Sequence, residues 1–133
     1  MFIFCCGCNK DVDARITSGK EIYAHRPDLY SIPFWKCDTC GNFVGCHYKT
    51  GTPTKPLGNI PTPEIKNARR HIHKLLDPLW QNNIIPRGKI YAHLAHSLGI
   101  KEYHTGEITS IETARTVYRI IQEMVPEKDR NMR

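Results

Sequence analysis

No stretch of this 133-residue chain is apolar for long enough to cross a bilayer, and no lipidation signal is present. The opening residues, Met1-Phe2-Ile3-Phe4, carry no basic leader segment and run straight into cysteine. Six cysteines are sparse for a stapled secreted domain of this length. These absences set the expectation of a soluble, cytoplasmic protein that meets no membrane and keeps its thiols reduced or metal-bound. Nothing in the sequence indicates a small-molecule ligand. A chain of this size holds one domain, or a small metal module docked on a helical part.

The cysteines that are there fall into a pattern. Cys5/Cys8 and Cys37/Cys40 form two C-x-x-C pairs separated by 28 residues, the layout of a structural zinc site built from two knuckles. Such spacing presents two thiolates from each knuckle to one tetrahedral ion. Gly41 follows the second pair and permits the left-handed turn that aims backbone amides at a bound sulfur; Asn9, in the same place after the first pair, tolerates that turn as well. A redox C-x-x-C would open a helix, and neither pair is followed by a helical pattern. The expected cofactor is one structural Zn2+ on Cys5, Cys8, Cys37 and Cys40. Cys6, adjacent to a ligand, could exchange with it, and Cys46 with His47 offers an alternative to one member of the second pair.

The fold class expected is α+β: an N-terminal four-cysteine zinc ribbon of short antiparallel strands packed with a C-terminal bundle of about three helices. The ribbon spans residues 1–50, with Val12–Ile16 and Glu21–Ala24 read as a hairpin about Thr17-Ser18-Gly19-Lys20. Tyr30–Lys36 runs extended into the second knuckle and Asn42–His47 leaves it. Six Pro or Gly residues between Gly51 and Pro63 forbid regular structure, so residues 51–62 read as a stiff connector. The helical part covers 63–126 and forms one compact unit with the ribbon; residues 127–133 are a charged tail. The first helix is capped by Thr62 with Pro63 in its first turn, and Asp77-Pro78 ends it or caps one further turn. The second runs over Gly88–Leu98 to a stop at Gly99. The third opens on the capping box Thr109-x-x-Glu112 and ends at Pro126.

Dividing the charge locates the basic surface. Residues 1–47 hold five Lys/Arg and five Asp/Glu, whereas residues 48–133 hold fourteen against eight, so the helical half carries the whole net charge of +6. Four thiolates around one divalent ion add further negative charge to the ribbon. A polyanionic partner would therefore meet the helices rather than the zinc module. Lys66, Arg69, Arg70 and Lys74, on the first helix, are the candidate nucleic-acid contacts. On the third helix, Arg115 and Arg119 are matched by Glu112 and Glu123 at helical spacing, which pairs that charge off within the helix.

Candidate catalytic groups are few. His73 and Asp77 lie one turn apart, where the carboxylate can fix the imidazole tautomer, and His47 is a third candidate. The same His73–Asp77 pair can equally lock the helix in place, and no nucleophile stands near it in sequence. His93, His96 and His104 are too few for a second metal site.

One ordered set of motifs goes further: Cys5-x-x-Cys8, Cys37-Asp-x-Cys40, Val44-Gly45-Cys46-His47, Pro56-Leu57-Gly58, His73-x-x-x-Asp77-Pro78-Leu79-Trp80 and His104-x-Gly106. Together they resemble a small zinc-finger-containing domain family of bacterial and phage proteins whose function is not established. The resemblance spans about residues 4–122; the doubled cysteine at Cys5-Cys6 departs from the proline-type knuckle more usual there. It implies four cysteine ligands and a ribbon-plus-helices unit, and it draws attention to His47, His73, Asp77 and Trp80. It implies no reaction. The function expected is an intracellular zinc protein that binds nucleic acid, or a nucleic-acid-associated protein, through its basic helices. The alternatives are a protein-interaction adaptor, with a phage host-takeover or anti-defence role, and a hydrolase using His47, His73 and Asp77.

Overall fold

The computed structural model describes residues 1–130. Five short strands lead: β1 (Phe2–Cys5), β2 (Lys10–Asp13), β3 (Arg15–Ser18), β4 (Pro33–Lys36) and β5 (Phe43–Gly45). A single helical turn, α1 (Gly19–Ile22), lies between β3 and β4. The helices α2 (Pro63–Gln81), α3 (Arg87–Leu98), α4 (Ile111–Met124) and α5 (Glu127–Arg130) follow. The architecture is α+β. Contacts divide the chain into two compact units, one from Met1 to Pro63 and the other from Glu64 onward.

In the first unit β1 and β2 pair antiparallel across the first knuckle, with Phe2 opposite Asp13 and Cys5 opposite Lys10. A separate sheet runs β3-β4-β5, all antiparallel, with the second knuckle joining β4 to β5. The expected hairpin between residues 12–16 and 21–24 does not form. Residues 19–22 turn helical, and β3 pairs with β4 instead, Ile16 opposite Trp35. Closeness of chain decides it: Gly19 donates its N–H to the Ile32 carbonyl, and a Cβ at Gly19 would stand 1.8 Å from the Leu29 carbonyl oxygen. Only glycine lets the two segments approach so closely.

The alternation of β1 sends Ile3 and Cys5 inward, where they join Ala14, Cys37, Val44 and Ile60 in a small core. Ile60 belongs to the proline-rich stretch read from sequence as a connector over 51–62. That stretch is built into the ribbon unit. Its Ile60 is fully buried, donates to the Phe4 carbonyl and accepts from the Cys6 amide; Leu57 donates to the Gly45 carbonyl; and Trp35 Nε1 donates to the Thr54 carbonyl at 2.7 Å. The segment runs through bends and turns and meets strand edges only at isolated bridges, Pro56 with Cys46 and Ile60 with Cys5, because its prolines cannot supply the amides of a continuous ladder.

The second unit has its own, larger core, drawn from α2, α3, α4 and the segment before α4. Helix α2 buries Ile65, Arg69, Ile72, Leu75, Leu76 and Leu79 on one face and continues through Pro78 to Gln81. The helix therefore does not stop at Asp77-Pro78. Proline withdraws one N–H from the ladder, and burial of Leu79 one residue later holds the last turn in place. Asn83, in the left-handed region at φ 58°, reverses the chain into α3. Gly99 closes α3 at φ 68°, donating to the carbonyls of Ala95 and His96. The cap of α4 falls on Ser110 rather than Thr109: its hydroxyl accepts from the Thr113 amide at 3.1 Å. No helix among the described residues is long and apolar enough to cross a membrane.

Candidate metal centre and basic surface

The two knuckles have the same construction. In the first, the Asn9 amide donates to the Cys5 carbonyl at 2.7 Å with Asn9 at φ 56°; in the second, the Gly41 amide donates to the Cys37 carbonyl at 2.8 Å with Gly41 at φ 81°. Each turn brings two amides onto its leading sulfur, from Gly7 and Cys8 onto Cys5, and from Thr39 and Cys40 onto Cys37. Two such loops face each other. Cys5 Sγ lies 3.4 Å from Cys40 Sγ and Cys8 Sγ 3.7 Å from Cys37 Sγ, and all four sulfurs fall within 4.8 Å of one another. Sulfurs at about 2.3 Å from a tetrahedral zinc stand about 3.8 Å apart, so the quartet has the size of the ion.

The electrostatics suit a cation as well. Cys5 is fully buried, and burial pushes its thiol up to about 12 although the Cys8 and Gly7 amides oppose it. Burial acts on Cys37 in the same sense, yet hydrogen bonds from the Cys40 and Thr39 amides and from neighbouring thiols bring it down to about 7. A thiol quartet of this kind is a poor core and a good ligand set, because a divalent ion displaces the protons and offsets half of the thiolate charge. With all four positions taken by protein, no place is left for a catalytic water. The chemistry of the donors fits one structural zinc ion. Among the described residues, the metal-competent cluster is this quartet; Cys6, Cys46 and His47 stand outside it. Cys46 is buried and its thiol is raised by that burial.

Several supports were not read from the sequence. Arg15 forks onto both Asp38, inside the second knuckle, and Glu21 of α1, and Lys36 joins Glu21 at 2.8 Å. Arg15 above all, then Lys36 and Thr17, hold the Glu21 carboxyl well below the usual range. Gly7 sits where the two knuckles approach: a Cβ there would lie 2.7 Å from Asn42 Nδ2, displacing that side chain, and 3.4 Å from Cys40 Sγ. Tyr23, Phe34 and Phe43 meet edge to face, with centroids 5.7–5.8 Å apart. The pattern Arg15…Glu21…Asp38 has no fixed spacing, which is why only the fold reveals it.

The basic residues of α2 separate into two kinds. Lys66, Arg70 and Lys74 are exposed. Arg69 is not: it is 9% exposed, and its Nε and Nη2 both donate to the Ile108 carbonyl, at 3.2 and 2.6 Å. Arg69 falls on the core stripe with Ile65 and Ile72, so it leaves the set of nucleic-acid contacts expected from sequence and serves packing instead. On the exposed side, His73 Nδ1 lies 3.3 Å from Asp77 Oδ1, which also accepts from Trp80 Nε1 at 3.2 Å. Arg87 lies over the rings of Trp80 and Tyr91, 5.3 and 5.1 Å from their centroids. Spacing brings His73 and Asp77 together as expected. His47 belongs to the ribbon unit, where its amide donates to the Lys55 carbonyl and its carbonyl accepts from Thr50. Of the other histidines, His93 and His96 are exposed or nearly so, and His104 lies 3.3 Å from Glu102.

Compared with known proteins, residues 1–124 match the model of a family described as a zinc-finger-containing domain. No curated protein and no solved structure matches.

Proposed function

This chain belongs to the zinc-finger-containing domain family, and we propose that its zinc serves the fold while its helical unit contacts nucleic acid, or a nucleic-acid-processing complex. The observation that carries this reading is the row Lys66, Arg70 and Lys74, one turn apart along the exposed side of α2. Beside that row, at the C-terminal end of α2, lies the Trp80–Arg87–Tyr91 stack. Lysines and arginines spaced by about one turn can neutralise successive phosphates, and the aromatic–guanidinium stack supplies a surface that bases tolerate. The ribbon unit offers a polyanion no such excess. Residues 1–63 hold seven Lys/Arg and five Asp/Glu, a surplus that four thiolates on one divalent ion cancel.

Fluorescence anisotropy with single- and double-stranded DNA and RNA across a salt series tests it. The variant Lys66→Glu/Arg70→Glu/Lys74→Glu should bind more weakly, and the slope of log affinity against log salt should flatten by about 2 to 3. Affinity and slope both unchanged would end the proposal.

A further inference from the structure

A groove of about 560 Å³ runs between α2 and α4, inside the helical unit; Lys66, Arg70 and Lys74 are not in its lining, although Arg70 donates to Asn67 at its edge. Its floor is apolar: Ala68 and Ile72 from α2, Ile111, Ala114 and Tyr118 from α4. Small residues at 68 and 114 keep the two helices' side chains from filling the space between them. Its rim is basic. Arg115 and Arg119 stand one turn apart along the α4 edge, and His71 faces them from α2, with Glu64 at one end as the single acidic member of the lining. Sequence spacing assigns Glu112 and Glu123 to those arginines, but among the described residues neither Arg115 nor Arg119 enters an ion pair. Both residues are exposed.

We infer that this groove receives an amphipathic, acidic helix of a protein partner. Floor positions spaced i, i+4 on α2 and i, i+3, i+7 on α4 match a third helix laid between two, with apolar anchors at the same spacing on the incoming face. Arg115 and Arg119, which enter no ion pair among the described residues, complement acidic residues flanking those anchors. A nucleic acid would use the rim and leave the aliphatic floor in water, so the floor favours a peptide. The inference does not rest on nucleic-acid binding by Lys66, Arg70 and Lys74.

Selection of a displayed library of helix-forming peptides on the full zinc-loaded chain tests it, followed by affinity measurements on the enriched sequences. Enriched peptides should carry apolar residues at i, i+3/i+4 and i+7 with Asp or Glu beside them. Arg115→Glu/Arg119→Glu should weaken them by about tenfold or more. Gln122→Trp, which adds bulk to the exposed α4 side of the lining without changing charge, should weaken them by about fivefold or more. Enrichment of nothing, or of peptides that bind both variants as well as the parent, overturns the inference. So does a single-stranded oligonucleotide whose binding is lost in Arg115→Glu/Arg119→Glu while no acidic peptide binds; the groove would then belong to nucleic acid.

Discussion

Arg69 shows how a residue's environment overrides its type. In sequence it is one of four cations on a basic helix; in the fold its guanidinium is buried against the Ile108 carbonyl. Removing it strands a buried acceptor and leaves a void, so Arg69→Ala should cost about 2 kcal/mol of stability in chemical denaturation, while Arg70→Ala at the exposed position changes little. Equal effects at the two positions would contradict the assignment. Tyr103 provides a second residue-level test. It is buried, its hydroxyl lies 2.8 Å from Thr105 Oγ1, and burial lifts its phenol from an ordinary 10 to about 12. The fold favours the neutral form, so the contribution is whole below about pH 10 and is lost as pH climbs toward 12. Denaturation midpoints of the parent should therefore fall as pH rises from about 10 to about 12, and Tyr103→Phe should remove that part of the fall.

Among the elements, those ruled by local chemistry were readable from sequence and those ruled by approach were not. The knuckles were legible because C-x-x-C followed by Gly41 or Asn9 specifies its own backbone, and both residues adopt the left-handed turn. The faces of α2 and α4 were legible because Ile65, Ile72, Leu76, Ala114, Val117 and Ile121 recur at helical period. The pairing of β3 was not, because a turn signal at Ser18-Gly19 serves a close crossing with Leu29 instead of a hairpin. Nor was the burial of Ile60, a lone apolar residue among prolines whose hydrogen bonds are made to β1 and the first knuckle. The crossing yields a sharp expectation: Gly19→Ala puts a methyl into the Leu29 backbone and should cost the ribbon unit about 3 kcal/mol, read as faster zinc loss to a chelator. Zinc retention unchanged from the parent would show that the segments can separate without harm.

At the scale of the molecule, the two units are held by different means. The ribbon's core cluster has six buried residues, of which Cys5 and Cys37 are ligands, too little apolar surface to fix five short strands without the metal. Among its described residues the helical unit has thirteen in its buried core, apolar burial enough to hold α2, α3 and α4 together. Zinc therefore accounts for the first fold, and the proposed function rests on the exposed side chains of the second. The most direct test is hydrogen exchange read by mass spectrometry before and after a strong chelator removes the metal. Amides of residues 1–63 should lose protection while those of α2, α3 and α4 keep theirs. Protection retained in the ribbon after complete zinc removal, or lost equally in both units, would contradict the account.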